Sequence, residues 1–297
     1  MILETHGLTK TYNGSLAINN VDIHIKEGEI YGLVGKNGSG KTTFIRLITK
    51  LILPTQGAFT LFDGAPYLRT DISGIVETPS LYLGLNAYNN LILQSQLLEL
   101  KSDLAYIKRT LDLVGLSAIS DDHKKVKDYS LGMKQRLGVA MAIIGKPKFL
   151  LLDEPTNGLD PQGIFDMRAI LLALRDAGTT ILISSHLLGE LSKLATCYGF
   201  LDKGRLLKEA SASEIDNYEG KCIVLQVDDA QKAQEVLTMA EVGRVKSALN
   251  KTLYIYGNKT ITELVLLLSN NGINVLHATE QKGDLESYFR AITGGMR

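Results

Sequence analysis

The chain has 297 residues, enough for one large domain or two smaller ones, and 45% of them are apolar, which supplies an ample core. Its 32 Lys and Arg balance its 32 Asp and Glu, so it lacks the basic surplus of a general nucleic-acid binder, and no nucleic-acid partner is expected. Cys197 and Cys222 have neither metal-site spacing nor a disulfide framework, no apolar run approaches the roughly 20 residues that cross a bilayer, and "MILETHGLTKTY" at the start is not a signal peptide. A reducing cytoplasm is expected, with any membrane role exercised through a partner.

From Ile2 to Val34 the pattern is strand-like, broken by "NG" at 13–14 and "EG" at 27–28. A helical pattern covers 41–51, and strands are predicted at 58–62 and 74–77. Residues 86–145 read as almost wholly helical, with "AYNNLILQSQLLEL" and "DLAYIKRTLDLVGL" as amphipathic blocks. "FLLLD" and "TTILISS" are short apolar runs on either side of a helix at 162–176, the pattern of buried parallel strands. "CYGFLDKGRLLKE" predicts a hairpin turning at "KG".

Composition changes near Asp216–Gly220, which divides the chain into residues 1–216 and 217–297. Beyond the break the pattern predicts strand 222–227, helix 229–240, strands 243–249 and 252–256, helix 261–270, strand 273–277 and helix 285–292. The order βαββαβ is that of a small α+β, ferredoxin-like domain.

"GKNGSGKT" fits G-x-x-x-x-G-K-[ST] and lies between a strand at 29–34 and a helix. Such a pattern arises by chance in a chain of this length on the order of 1% of the time, and the strand and helix around it make chance remote. Gly35, Lys36, Asn37, Gly38, Ser39 and Gly40 would turn backbone N–H groups toward phosphates, aided by the N-terminus of the helix, with Thr43 completing the loop. Lys41 would reach the β- and γ-phosphates and Thr42 would hold Mg²⁺. "KFLLLDEP" supplies the other half: Asp153 at a strand end for the metal's water shell, and Glu154 as general base for an attacking water. On its own a "DEP" after a strand is more often a solvated turn, and the cradle shifts that balance. Together they predict ATP or GTP binding and hydrolysis, which many protein classes perform.

The choice among them rests on "YSLGMKQRLG" (129–138). Ser130 reads as a helix N-cap, yet Lys134 and Arg136 follow where positive charge is unfavourable unless an anion is met there. The stretch resembles the signature of the ATP-binding-cassette family, with Ser130, Gly132, Gln135 and Arg136 matching and Tyr129, Leu131 and Met133 departing. "GLDP" (158–161) resembles the family's D-loop, "SSH" (184–186) its switch histidine, and Tyr12 in "LTKTYNG" its adenine-stacking aromatic, so five motifs stand in order across residues 2–215.

The resemblance implies an α/β P-loop nucleotide-binding domain with a parallel-sheet core, an antiparallel β subdomain and a helical subdomain at 86–145. It implies MgATP hydrolysis and an ATP-sandwiched homodimer, in which Ser130 and the Gly132 N–H cap a phosphate held by the second copy. Asp160 would bridge to the other cradle, and His186 would bond the γ-phosphate and orient the water of Glu154. It also implies a separate transmembrane permease docked on the helical block, and a peripheral position on the inner face of the membrane. Glu77 stands where most members carry Gln, and is expected to touch the metal and couple to the permease. Glu77, the altered signature and the tail resemble the bacitracin- and lantibiotic-immunity ATPases, which serve exporters of antimicrobial peptides. The competing readings are an exporter of a drug or lipid, a non-transport cassette protein acting on ribosomes or DNA, and a P-loop metabolic kinase. The kinase reading leaves the signature and "SSH" unexplained, and the ribosomal proteins usually join two cassettes or insert coiled coils.

Overall fold

The computed structural model describes residues 1–101, 103–117, 124–216, 218, 222–248, 251–281 and 285–293. The chain forms two compact units, Met1–Ala210 and Ser211–Arg297. The division precedes the compositional break at 216–217; Asn217 itself, and residue 249 at the end of one expected strand, lie outside the described residues. No helix among the described residues is long and apolar enough to cross a membrane.

The first unit opens with β1 (Leu3–Tyr12), β2 (Ser15–Val21) and β3 (His24–Ile25), then β4 (Ile30–Val34), α1 (Lys41–Ile48) and β5 (Gln56–Leu61). β1 pairs antiparallel with β2, β3 and β5, forming an antiparallel sheet. Then follow β6 (Ile72–Ile75), α2 (Ala87–Leu97), α3 (Leu104–Leu113), α4 (Leu131–Ile143), β7 (Phe149–Asp153), α5 (Pro161–Asp176), β8 (Thr180–Ser185), α6 (Leu188–Leu191), β9 (Cys197–Asp202) and β10 (Arg205–Ser211). These strands and β4 form a second sheet in the order β10-β9-β4-β8-β7-β6, parallel from β9 through to β6.

β4, β7 and β8 are buried along their whole length. That is why they read as continuous apolar runs: a parallel sheet has both faces covered. One cover is α1, whose Phe44, Ile45, Leu47 and Ile48 pack with Leu33, Leu151 and Leu182. The register aligns Val34 with Ser185 and Asp153 with Ser184. The residues that follow β4, β7 and β8 therefore emerge together at the carboxyl edge, where open α/β sheets bind ligands.

The block 86–145 is more broken than its pattern suggests. Gly115, in the left-handed region at φ 67°, closes α3. The stretch before α4 does not propagate as helix because its backbone is spent elsewhere: Val126 N–H donates to Leu85 O and Lys127 N–H to Leu83 O. Similarly, α1 stops at Ile48 because Lys50 turns left-handed, and β6 stops at Ile75, two residues before Glu77.

The second unit begins with α7 (Ala212–Asp216), followed by β11 (Cys222–Val227), α8 (Ala230–Met239), β12 (Arg244–Ala248), β13 (Thr252–Tyr256), α9 (Ile261–Asn270), β14 (Val275–Gln281) and α10 (Leu285–Ile292). Its strands form an antiparallel sheet in the order β12-β13-β11-β14. Alternate residues Ile223, Leu225 and Val227 point to one face and meet Ala233 and Leu237 of α8 and Leu264 and Leu268 of α9. The last strand sits later than expected: Ile273 is buried but its N–H closes α9 on Leu268 O, and pairing with β11 runs on to Gln281.

Candidate active site

The cradle is built from glycines that no other residue replaces cheaply. A Cβ on Gly35 would lie 2.3 Å from Ser39 Oγ and 2.4 Å from Leu201 O; one on Gly40, at φ 111°, would lie 2.6 Å from Ala17 O. The loop then feeds α1, so its N–H groups and the helix dipole face one cavity of about 360 Å³ bordered by Asn37, Gly38, Lys41, Thr42, Glu154 and His186. Ser39 Oγ is buried without a hydrogen-bond partner among the described residues, a group that a phosphate oxygen would satisfy.

Lys41 is almost fully buried, with its ammonium donating to Gly35 O at 2.8 Å and lying 3.3 Å from Glu154 Oε1. The opposite oxygen of Glu154, Oε2, is 2.7 Å from His186 Nδ1. Glu154 is thus held between a cation and an imidazole, and His186 meets the carboxylate directly. The backbone makes this possible. Glu154 adopts φ 49°, which costs a non-glycine residue about 1–2 kcal/mol, and its N–H is fixed by Ser184 O at 3.2 Å and Ser184 Oγ at 3.0 Å.

Thr42 Oγ1 lies 2.7 Å from Asp153 Oδ2, so the two oxygens that would serve Mg²⁺ are already adjacent. Hard oxygen donors of this kind, one hydroxyl and one carboxylate beside a phosphate cavity, fit that ion. The other Asp153 oxygen accepts from Ser184 Oγ at 2.5 Å. Ser184 is fully buried and orients both acids, a role that "SSH" conceals because it depends on the register between β7 and β8. Ser184→Ala should cost about 1–3 kcal/mol of stability by stripping a buried acceptor of its donor. It should also lower turnover about tenfold by loosening Glu154, about 1.4 kcal/mol in the barrier. Thermal melts and steady-state ATPase assays measure the two effects.

Glu77 is engaged by a side chain of α1. At φ 63° it turns outward, and its carboxylate accepts from Arg46 Nη2 at 2.8 Å, with both side chains more than a third exposed. Arg46 stands one helical turn after Thr42 on α1, so this pair holds Glu77 against the helix that carries Thr42. An exposed pair of this kind contributes about 0–1 kcal/mol.

The signature lies elsewhere on the surface. Ser130 caps α4, its Oγ accepting from Met133 N at 3.2 Å. The basic residues behind it are used within the chain: Lys134 donates to Lys127 O, and Arg136 to Gly115 O while lying 3.6 Å from Asp166. Tyr129, in place of the usual leucine, is buried and accepts from Ala87 N at 3.2 Å. Leu131 is half exposed, with its Cδ2 over Gly158, which is left-handed at φ 74° and therefore favours glycine. Asp160 caps α5 by accepting from Gly163 N at 2.9 Å, so its carboxylate is engaged within the chain. Tyr12 ends β1 with its ring exposed and the Lys10 ammonium 5.2 Å from the ring centre.

Residues 18–157 match the ABC transporter family model. The chain is 36% identical to the bacitracin transport ATP-binding protein BcrA of Enterococcus faecalis over 99% of this chain and 97% of that one. The chain belongs to the ABC transporter family of ATP-binding proteins. It is also 41% identical to the lantibiotic transport ATP-binding protein SrtF of Streptococcus pyogenes, over 73% of this chain and 94% of that one. Among solved structures, an ATP-binding subunit of an ABC transporter is 27% identical, with a TM-score of 0.64 over 72% of this chain and 92% of that one. The protein is accordingly an ATP-binding, ATP-hydrolysing subunit of an ABC transporter.

Proposed function

We propose that this ATPase powers export of an antimicrobial peptide of the bacitracin or lantibiotic class through a separate permease, and so confers resistance. The support is the likeness to BcrA over nearly the whole chain, second unit included, together with the likeness to SrtF. The observation that carries the chemistry is Glu154 held between Lys41 and His186 at the mouth of a glycine cradle. Deleting the gene should sensitise its host to bacitracin or a lantibiotic, and wild-type protein but not Glu154→Gln should restore resistance. Unchanged sensitivity to both peptide classes would remove the export reading while leaving the ATPase untouched.

In this reading the protein acts as a homodimer on the inner face of the membrane. Residues 35–43 bind the phosphates, Lys41 donates to the β- and γ-phosphate oxygens, and Tyr12 stacks on adenine. Glu154 takes the proton of the attacking water, with His186 orienting the carboxylate. Mg²⁺ at Thr42 and Asp153 would neutralise charge developing on the phosphates. Ser130 and the Gly132 N–H donate to the nucleotide of the second copy, and Asp160 faces that copy's cradle across the dimer. Nothing in the proposed cycle calls for nucleic acid. The second unit contributes none of these groups, so a chain ending at Ala210 that remains folded should bind MgATP as the full chain does, measured by titration with a fluorescent nucleotide.

Glu77 takes a coupling role, since it opens the segment leading to the helices at 87–143 on which the permease would dock. Glu77→Ala should leave nucleotide binding and most ATP hydrolysis intact and lower peptide resistance at normal protein levels. Full resistance in that variant would leave Glu77 with no part in coupling.

A further inference from the structure

A second cavity, of about 530 Å³, lies between α3, the loop 145–148 after α4, and the C-terminal end of α5, and shares no lining residue with the nucleotide cavity. Its walls include Leu113, Ile143, Pro147 and Leu174. Arg109, Lys146 and Lys148 border it, and no carboxylate among the described residues does. Lys148 is 3.4 Å from Asp71, which cancels its charge. Arg109 and Lys146 have no ion-pair partner among the described residues; Arg109 Nε donates to Ala105 O of its own helix, and the Lys146 ammonium lies 5.1 Å from the Tyr106 ring centre. Tyr106 donates its hydroxyl to Ile144 O at 2.8 Å, and burial pushes its phenol above the usual range, so it adds no negative charge.

A simpler role for these cations is to neutralise the helix ends. α3, α4 and α5 all finish here, and each C-terminus carries about half a negative charge. Three such ends offset about one and a half of the two unpaired cations and leave the cavity weakly positive. The backbone also pays for the placement of Lys146: it is left-handed at φ 52° just after α4, where glycine is the cheap residue, although Gly145 is its neighbour.

We propose that this cavity binds a small amphipathic anion, its head met by Arg109 and Lys146 and its apolar body lying against Leu113, Ile143, Pro147 and Leu174. The volume is that of an ordinary small-molecule site and accepts two fused rings or a medium acyl chain.

The test is a fluorescence titration of the full chain with 8-anilinonaphthalene-1-sulfonate, with saturating MgADP occupying the cradle. One saturable site is expected. Arg109 and Lys146 are exposed, so the Arg109→Ala/Lys146→Ala variant should fold, as a thermal melt verifies, and should bind about tenfold or more weakly through loss of two charge-assisted hydrogen bonds. Arg109→Lys/Lys146→Arg should retain binding, and the neutral N-phenyl-1-naphthylamine should bind about tenfold more weakly than the sulfonate. Displacement by decanoate assigns the body to an acyl chain, and binding that decanoate leaves in place assigns it to an aromatic one. Unsaturable binding, equal affinity in the double alanine variant, or equally tight binding of the neutral analogue overturns the proposal.

Discussion

Glu154→Gln should lower ATP turnover by about 10²–10⁴-fold, the range that a positioned general base supplies. The amide has the same shape and still accepts hydrogen bonds, so the cavity and the Ser184 hydrogen bonds to the backbone N–H are kept. What it cannot do is take the proton of water. It also loses its charge toward Lys41 at 3.3 Å and His186 at 2.7 Å. The first of these losses works in favour of nucleotide: an ammonium no longer attracted by a carboxylate is freer to meet a phosphate. Nucleotide affinity should therefore be equal or higher while hydrolysis fails, and the protein should accumulate as an ATP-bound dimer. Single-turnover assays give the rate, and size-exclusion chromatography with MgATP gives the dimer. Near-normal turnover would assign the base elsewhere.

The parts of this site that were legible in the sequence are those made by contiguous residues. The cradle is a strand, a glycine-rich turn and a helix within a single stretch, so Gly35 to Thr43 could be placed without knowing any neighbour. Ser130 as a cap is also local, because the accepting oxygen and the Met133 N–H are three residues apart. Interactions that depend on strand order were not legible. Ser184 reaches Asp153 and Glu154 only because β8 inserts between β4 and β7 and aligns Ser184 with Asp153. The Arg46 partner of Glu77 was missed for a similar reason: it needs both the turn at Glu77 and the face of α1 that carries Thr42. Periodicity also misled where backbone groups found remote partners, as Val126 and Lys127 did on the loop before α2. In the second unit the apolar pattern placed the core strands well, and β14 slipped because its outer half is polar and is held by backbone pairing to β11.

Replacing Lys41 should have the largest effect on nucleotide affinity. Its side chain is only 6% exposed, so the phosphates it meets are addressed from a poorly hydrated position. A hydrogen bond to a charged group contributes about 1.5–3 kcal/mol, so removing each one that Lys41 makes to phosphate should weaken binding about 10- to 150-fold. Lys41→Ala also opens a space at the head of α1 and leaves Glu154 with His186 as its remaining side-chain partner. Lys41→Met separates the two effects, because it keeps the length and packing of the chain and removes only the charge. Both variants should bind ATP far more weakly than the wild type, and Lys41→Met should keep the wild-type melting temperature within a few degrees. ADP binding should weaken less than ATP binding in each, because the hydrogen bond to the γ-phosphate exists only with ATP. Titration with a fluorescent ATP analogue, repeated at several salt concentrations, tests this: the wild-type affinity should fall as salt rises, and the Lys41→Met affinity should depend on salt less steeply. An unchanged ATP affinity in Lys41→Met would mean that the glycine loop and helix N-terminus hold the phosphates without the lysine, and would move the ammonium's role wholly to the transition state.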